Sequence, residues 1–160
     1  RPHVTIHVEH APNAQRALEA LQKNQYDLAS LCWLPQNIKN DTSAQDGGDF
    51  WYRPFARDAI VIITHPSNPA GGLTLLQLRG IFQGQTIFWN ELGGLEQDIM
   101  PVSREAGAGT RLNFETRVMG ERNVTPTAVV MPSNKTVVEY VKIRRGYVPA
   151  SRLAIPLRSA

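Results

Sequence analysis

The sequence predicts an α/β fold built on a parallel sheet, and three observations carry that reading. Short strand-like runs, Val4–Val8 (VTIHV), the largely apolar Asp27–Trp33 (DLASLCW) and Arg57–Thr64 (RDAIVIIT), the first and last of them rich in β-branched residues, alternate with stretches whose apolar residues recur at helical spacing. The first two runs flank a helical segment, and a β-α-β order favours parallel strands with a right-handed crossover. Further on, a glycine-rich turn joins a strand signal to a helix signal.

Each element follows in turn. Asn13 is placed to cap a helix through Leu21, with Ala14, Ala17, Leu18 and Leu21 on one face. The run 36–49 is polar, contains Gly47 and Gly48, and reads as a loop. Arg57–Thr64 predicts a central strand ended by Pro66 and Pro69. Thr74 and Gln77 form a capping box for a helix over 74–83, with Leu75, Leu78 and Phe82 on one side, Gly80 weakening it and Gly84 ending it. Ile99–Ser103 predicts a short strand, 104–109 a tight turn, and Thr110 the start of a helix to about Met119 with Phe114 and Val118 spaced four apart. Ala128–Met131 predicts a strand. Thr136 and Glu139 read as a second capping box, for a helix that turns Val137, Tyr140 and Val141 inward. Arg145–Val148 and Leu153–Leu157 predict closing strands.

Composition excludes several classes. With 42% hydrophobic and 19% charged residues the chain is globular rather than disordered. No stretch approaches the ~20 apolar residues of a membrane span. Net charge is +3, but Lys and Arg are scattered; Lys142, Arg144 and Arg145 are the nearest thing to a cluster, which argues against nucleic acid and for a small anion as partner. Cys32 is the only cysteine, so no internal disulfide and no CxxC motif exists. His3, His7 and His10 lack ligand spacing, so no metal site is predicted. Arg1 opens directly onto strand-like sequence with no visible signal peptide, which leaves a cytoplasmic, a processed and a trimmed chain all open.

The segment richest in chemistry is Val102–Phe114, VSREAGAGTRLNF. Gly107 and Gly109 let backbone approach a ligand with no Cβ in the way. The amides of Gly109, Thr110 and Arg111 fall in a first helical turn, where they have no intrahelical acceptor and the helix dipole is positive. Thr110 adds a hydroxyl, and Arg104 a planar fork suited to an oxyanion. The same residues also read as an ordinary strand-to-helix turn, with Thr110 a plain cap and Arg104 paired with Glu105. The pattern is neither a Walker loop nor a dinucleotide fingerprint, since the Gly-Lys-Ser/Thr and the third glycine are missing.

In order along the chain, FARDAIVIITHPSNPAGGLT, LTLLQLRGIFQGQTIFWNELGG, IMPVSREAGAGTRLNF, AVVMPSNKTVVEYV and GYVPASRL, with LEALQKNQYDLASLCWLP upstream, resemble the phosphate-binding proteins of ABC importers, within the type II periplasmic binding-protein family. The resemblance implies a two-lobed α/β fold with crossing strands, lobe one over 1–56 plus 149–160 and lobe two over 57–148. It implies a hinge near Ala56 and Pro149 and a cleft that closes on a small oxyanion such as phosphate. ABC importer membrane subunits would be the partners, the location periplasmic or extracellular, with an anchor possible outside this chain, and no cofactor is required. It places ligand contacts at Arg104, Gly107, Ala108, Gly109, Thr110 and Cys32. Three positions depart from the family pattern: Ala108 replaces a serine, Ala106 an aspartate, and the strand around Cys32 reads SLCW where the family carries a further aspartate. The family's opening strand, loop and helix have no counterpart before Val4, so an incomplete first lobe is expected.

Among the remaining residues, Trp33, Trp51 and Tyr52 read as core or hinge packing, Cys32 as an inert buried thiol, and Asp27 and Asp58 as fixing strand ends. Ser103 and Ser133 have no nucleophile elbow and no His–Asp partner, so enzymatic activity is not expected. Two rival readings stand beside the receptor: a binding-protein-like sensory or adhesion module that has lost its ligand, suggested by Ala106, Ala108 and Cys32, and an enzyme on a related fold.

Overall fold

A computed structural model describes residues 3–35, 38, 51–68, 70–120 and 122–143. The elements are α1 (Ala14–Gln22), α2 (Leu75–Phe82), a 3-10 turn (Trp89–Leu92), β1 (Val102–Arg104), α3 (Gly109–Phe114, running on as a π turn over Glu115–Met119), β2 (Val129–Met131) and α4 (Asn134–Ile143). The fold is mixed α/β. No described helix is long and apolar enough to cross a membrane.

β1 and β2 pair in parallel, with Val102 opposite Val129, Ser103 opposite Val130 and Arg104 opposite Met131. The connection between them contains α3, as a parallel pair requires a crossover long enough to return the chain to the same end. β1 starts later than the sequence predicts, at Val102, and runs on to Arg104, which was expected in the turn, and β2 starts at Val129 rather than Ala128. The β1-α3 corner is the feature that positions the site: Arg104 ends the strand and Gly109 begins the helix.

The three upstream runs do not form strands. Val4, Ile6 and Val8 are each about 80% exposed, and Leu28 is 85% exposed. Alternating β-branched residues favour extended backbone, but a strand exists only when a neighbour takes up its N–H and C=O groups. Arg57–Thr64 likewise carries only a single bridge residue, Ile62. Its alternation nonetheless survives in packing: Ile60 and Ile62 lie against the core and Thr64 is buried, whereas Val61 is turned outward. Asp58 closes onto its own neighbour, accepting from Ala59 N at 2.7 Å. The predicted closing strands and most of the 36–49 loop lie outside the described residues.

The helices match their sequence signals more closely. Asn13 caps α1, its Oδ1 accepting from Arg16 N at 2.9 Å, and Leu18 is buried beneath it. Asn24, at φ 53, ends it; asparagine tolerates that left-handed backbone. Thr74 and Gln77 cap α2 reciprocally, at 3.2 and 2.8 Å. The inward face of α2 is Leu78, Ile81 and Phe82 rather than the predicted Leu75, which is 42% exposed. Gly80 does more than weaken this helix: a Cβ there would stand 2.9 Å from Thr86 Oγ1, and Gln85 and Thr86 both donate to its carbonyl. The cap of α4 is Ser133 and not Thr136. Ser133 Oγ accepts from Thr136 N, and Thr136 Oγ1 accepts from Ser133 N, both at 3.1 Å.

The core gathers Leu78 of α2, Phe114, Val118 and Met119 of α3 and its π turn, and Val124 and Ala128 of the approach to β2. Phe82 and Phe114 meet with ring centroids 4.6 Å apart and tilted by 58°. The π turn breaks the regular carbonyl ladder, and Arg79 Nε donates to Val118 O from across the core.

Candidate functional site

At the β1-α3 corner Gly107 takes φ +86, a conformation natural to glycine. Gly107, Ala108 and Gly109 are buried and Thr110 is half-buried. Ala108 is the N-cap of α3 and offers no side-chain oxygen. The helix closes from Leu112 N to Ala108 O at 2.9 Å, and among the described residues the N–H groups of Gly109, Thr110 and Arg111 have no acceptor. The Thr110 hydroxyl is likewise without a hydrogen-bond partner there. Three backbone donors and one hydroxyl therefore lie unpaired at the positive end of the helix. They can hold an oxyanion without any proton transfer.

Two upstream segments close over this corner. Gln15 N, in the first turn of α1, donates to Gly107 O at 3.2 Å. A Cβ on Gly107 would lie 3.1 Å from Gln15 Oε1 and 3.2 Å from Asn13 Oδ1. A Cβ on Gly109 would stand 2.2 Å from Cys32 Sγ, inside any tolerable contact, and 3.2 Å from Ala14 Cβ. Asn113 Nδ2 donates to Cys32 O at 2.7 Å. The structure thus brings Cys32 directly to the loop, although its neighbours are separated from it by more than seventy residues of chain. Cys32 is exposed, which corrects the expectation of a buried, inert thiol. Trp33 packs beside Gly109, but Trp51 is 71% exposed and does not pack as predicted. The first turn of α1 was missed as part of the corner. Its signal was present in Asn13, a helix cap preceded by Pro12.

Arg104 does not present an open fork. Its Nε and Nη2 donate to the two carboxylate oxygens of Glu105, at 2.9 and 2.8 Å. Nη1 reaches Asn134 Oδ1 at 2.5 Å and Nη2 also reaches Pro132 O at 3.2 Å. Both side chains are largely shielded, 16% and 29% exposed. Burial alone would raise the Glu105 carboxyl. Hydrogen bonds from Arg104 and the backbone, with the charges of Arg104 and Arg111, outweigh it and hold the group below its ordinary range. Arg111 is committed too, to Glu115 Oε1 at 2.8 Å and to Arg104 O at 3.0 Å.

Two other features do not join this site. Ser103 is buried within β1 and Ser133 serves as a helix cap. An apolar cavity of about 120 Å³ lies among α2, the Trp89 turn and α4, with Ile62, Leu78, Trp89, Val137 and Tyr140 in its wall. No charged residue is among those that line it. Among the described residues no group of three or more His, Cys, Asp or Glu could hold a metal.

A family model described as the PBP superfamily domain matches residues 2–154. The chain belongs to the PBP superfamily. Solved structures within reach of this superfamily member include an ABC-type phosphate transport receptor from Vibrio cholerae, at 36% identity and TM-score 0.54 over 59% of this chain and 41% of that one. A putative phosphate ABC transporter substrate-binding protein with bound phosphate, from Clostridium perfringens, matches at 26% identity and TM-score 0.70 over 88% of this chain and 56% of that one. PstS from Borrelia burgdorferi shares the fold at 20% identity and TM-score 0.53, over 61% of this chain and 41% of that one. The chain therefore spans 41–56% of the length of these structures.

Proposed function

We propose that this chain is the anion-gripping part of an extracytoplasmic solute-binding protein that takes a phosphate-like oxyanion for ABC import. The observation that carries the reading is the trio of acceptor-free amides at Gly109, Thr110 and Arg111, at the mouth of a helix whose preceding strand ends in Arg104. Superfamily membership and the phosphate receptors among its structural neighbours support the same ligand class. Gly107, Ala108 and Gly109 shape the loop, Thr110 adds a hydroxyl, and Cys32 faces it from the other side. Residues 1–56 with 149–160 form one lobe in this reading and 57–148 the other, with hinge motion near Ala56 and Pro149. The protein binds and hands over its solute, outside the cytoplasm, to importer membrane subunits, and does no covalent chemistry.

A second reading has a specific observation in its favour. Glu105 already fills the Arg104 fork, and Ala106 and Ala108 offer no side-chain donor, as in a sensory or adhesion module without a solute. Calorimetric titration with phosphate, sulfate, nitrate and carboxylates separates the two. Saturable heat with phosphate or a close analogue supports the receptor; no heat with any oxyanion supports the module.

A further inference from the structure

We infer that Glu105 is an internal counter-anion that competes with the solute for Arg104 and so sets both the affinity and the charge preference of the anion seat. The inference rests on the receptor reading above. A guanidinium has five N–H donors. Those of Arg104 go to Glu105 Oε1 and Oε2, to Asn134 Oδ1 and to Pro132 O, which leaves a single N–H for anything else. Glu105 occupies the side of the fork where two parallel bonds form, the geometry an oxyanion would itself use. A solute cannot take that side unless the carboxylate leaves.

The pair is also poorly placed to ignore a newcomer. Glu105 lies two residues before Gly107, and Arg111, whose amide is one of the three without an acceptor, is close enough for its charge to act on the Glu105 carboxylate. Of the nearby cations, Arg111 is tied to Glu115, and Arg104 is neutralised by Glu105 itself. The net positive field that reaches the seat is then mainly that of backbone dipoles, which bind anions but discriminate little among their charges. Removing the Glu105 charge returns a whole cation to the corner. That change favours a doubly charged anion over a singly charged one, because the Coulomb gain scales with the charge of the guest.

The test is calorimetric titration of the full chain, its Glu105→Gln variant, its Arg104→Ala variant and the double variant, with inorganic phosphate, sulfate and nitrate. Glutamine keeps the shape and one acceptor but loses the charge. Glu105→Gln is expected to bind phosphate and sulfate at least about tenfold more tightly, the equivalent of one charge-assisted hydrogen bond, with a smaller gain for nitrate. The gain should vanish in the double variant. If the full chain binds phosphate, loses it on Arg104→Ala, and yet binds equally or more weakly as Glu105→Gln, Glu105 is not a competitor while the receptor reading stands. If no variant binds any of the three anions, the receptor reading fails and this inference falls with it. Circular dichroism of each variant confirms folding. Should Glu105→Gln not fold, Glu105→Asp, one methylene shorter and so drawn back from the guanidinium, is expected to bind phosphate more tightly than the unchanged chain, and equal binding overturns the proposal.

Discussion

Gly109 is the residue on which most of the corner depends. With any side chain there, Cys32 Sγ would have to move, because the added Cβ would sit 2.2 Å from it. Gly109→Ala is therefore expected to destabilise the fold by about 1–3 kcal/mol, as overpacking does, and the loss should shrink in a Cys32→Ala background. Urea unfolding of the four chains of that cycle measures the coupling. Ala108 invites the opposite change. It caps α3 without a side-chain acceptor, so Ala108→Ser should raise stability by about 0.5–2 kcal/mol in the same assay. Glu105 adds a pH term. Its carboxyl is held low in the folded chain, so its pairing stabilises above 4.5, its ordinary value, and that contribution is lost as the pH falls from there through the lowered native value. Unfolding measured at neutral and at acid pH should show the unchanged chain losing more stability than Glu105→Gln. At this scale the sequence was informative wherever chemistry is local. The glycine loop and the Arg104–Glu105 pairing could both be read from adjacent residues. Which of the two roles Arg104 takes could not, because Asn134 and Pro132 reach it from about thirty residues downstream.

Among elements, the helices and the β1–β2 pair were legible, whereas the strand signals upstream of them did not become strands, for a physical reason. The cap of α1 at Asn13 and that of α2 at Thr74 and Gln77 close within three residues, so the sequence contains the whole interaction. The cap of α4 slipped from Thr136 to Ser133 because both hydroxyls sit in the right register, and only the backbone decides which one leads. Val4–Val8 has the alternation of a strand but no neighbour among the described residues, and alternation alone cannot supply one. The inward face of α2 was misjudged at Leu75, where the helix starts at the rim of the core. Leu78, one turn on, is 1% exposed at the centre. Leu78→Ala should cost about 2–5 kcal/mol in chemical unfolding, whereas Leu75→Ala should cost far less.

For the molecule as a whole, α1 and the Cys32 segment cover the corner between β1 and α3, and the proposed function makes that corner the seat of an anion. The ordered series of motifs was enough to suggest the superfamily, since it extends along nearly the whole chain and needs no side-chain detail. The cover could not be foreseen, because the Gln15–Gly107 and Cys32–Asn113 contacts join segments about eighty or more residues apart. The most direct test is a two-dimensional amide NMR titration of the full chain with inorganic phosphate. The account predicts saturable shifts that are largest at the Gly109, Thr110 and Arg111 amides, with smaller ones at Gln15 and Cys32. Saturable shifts confined to other residues, or none up to millimolar phosphate, would contradict it.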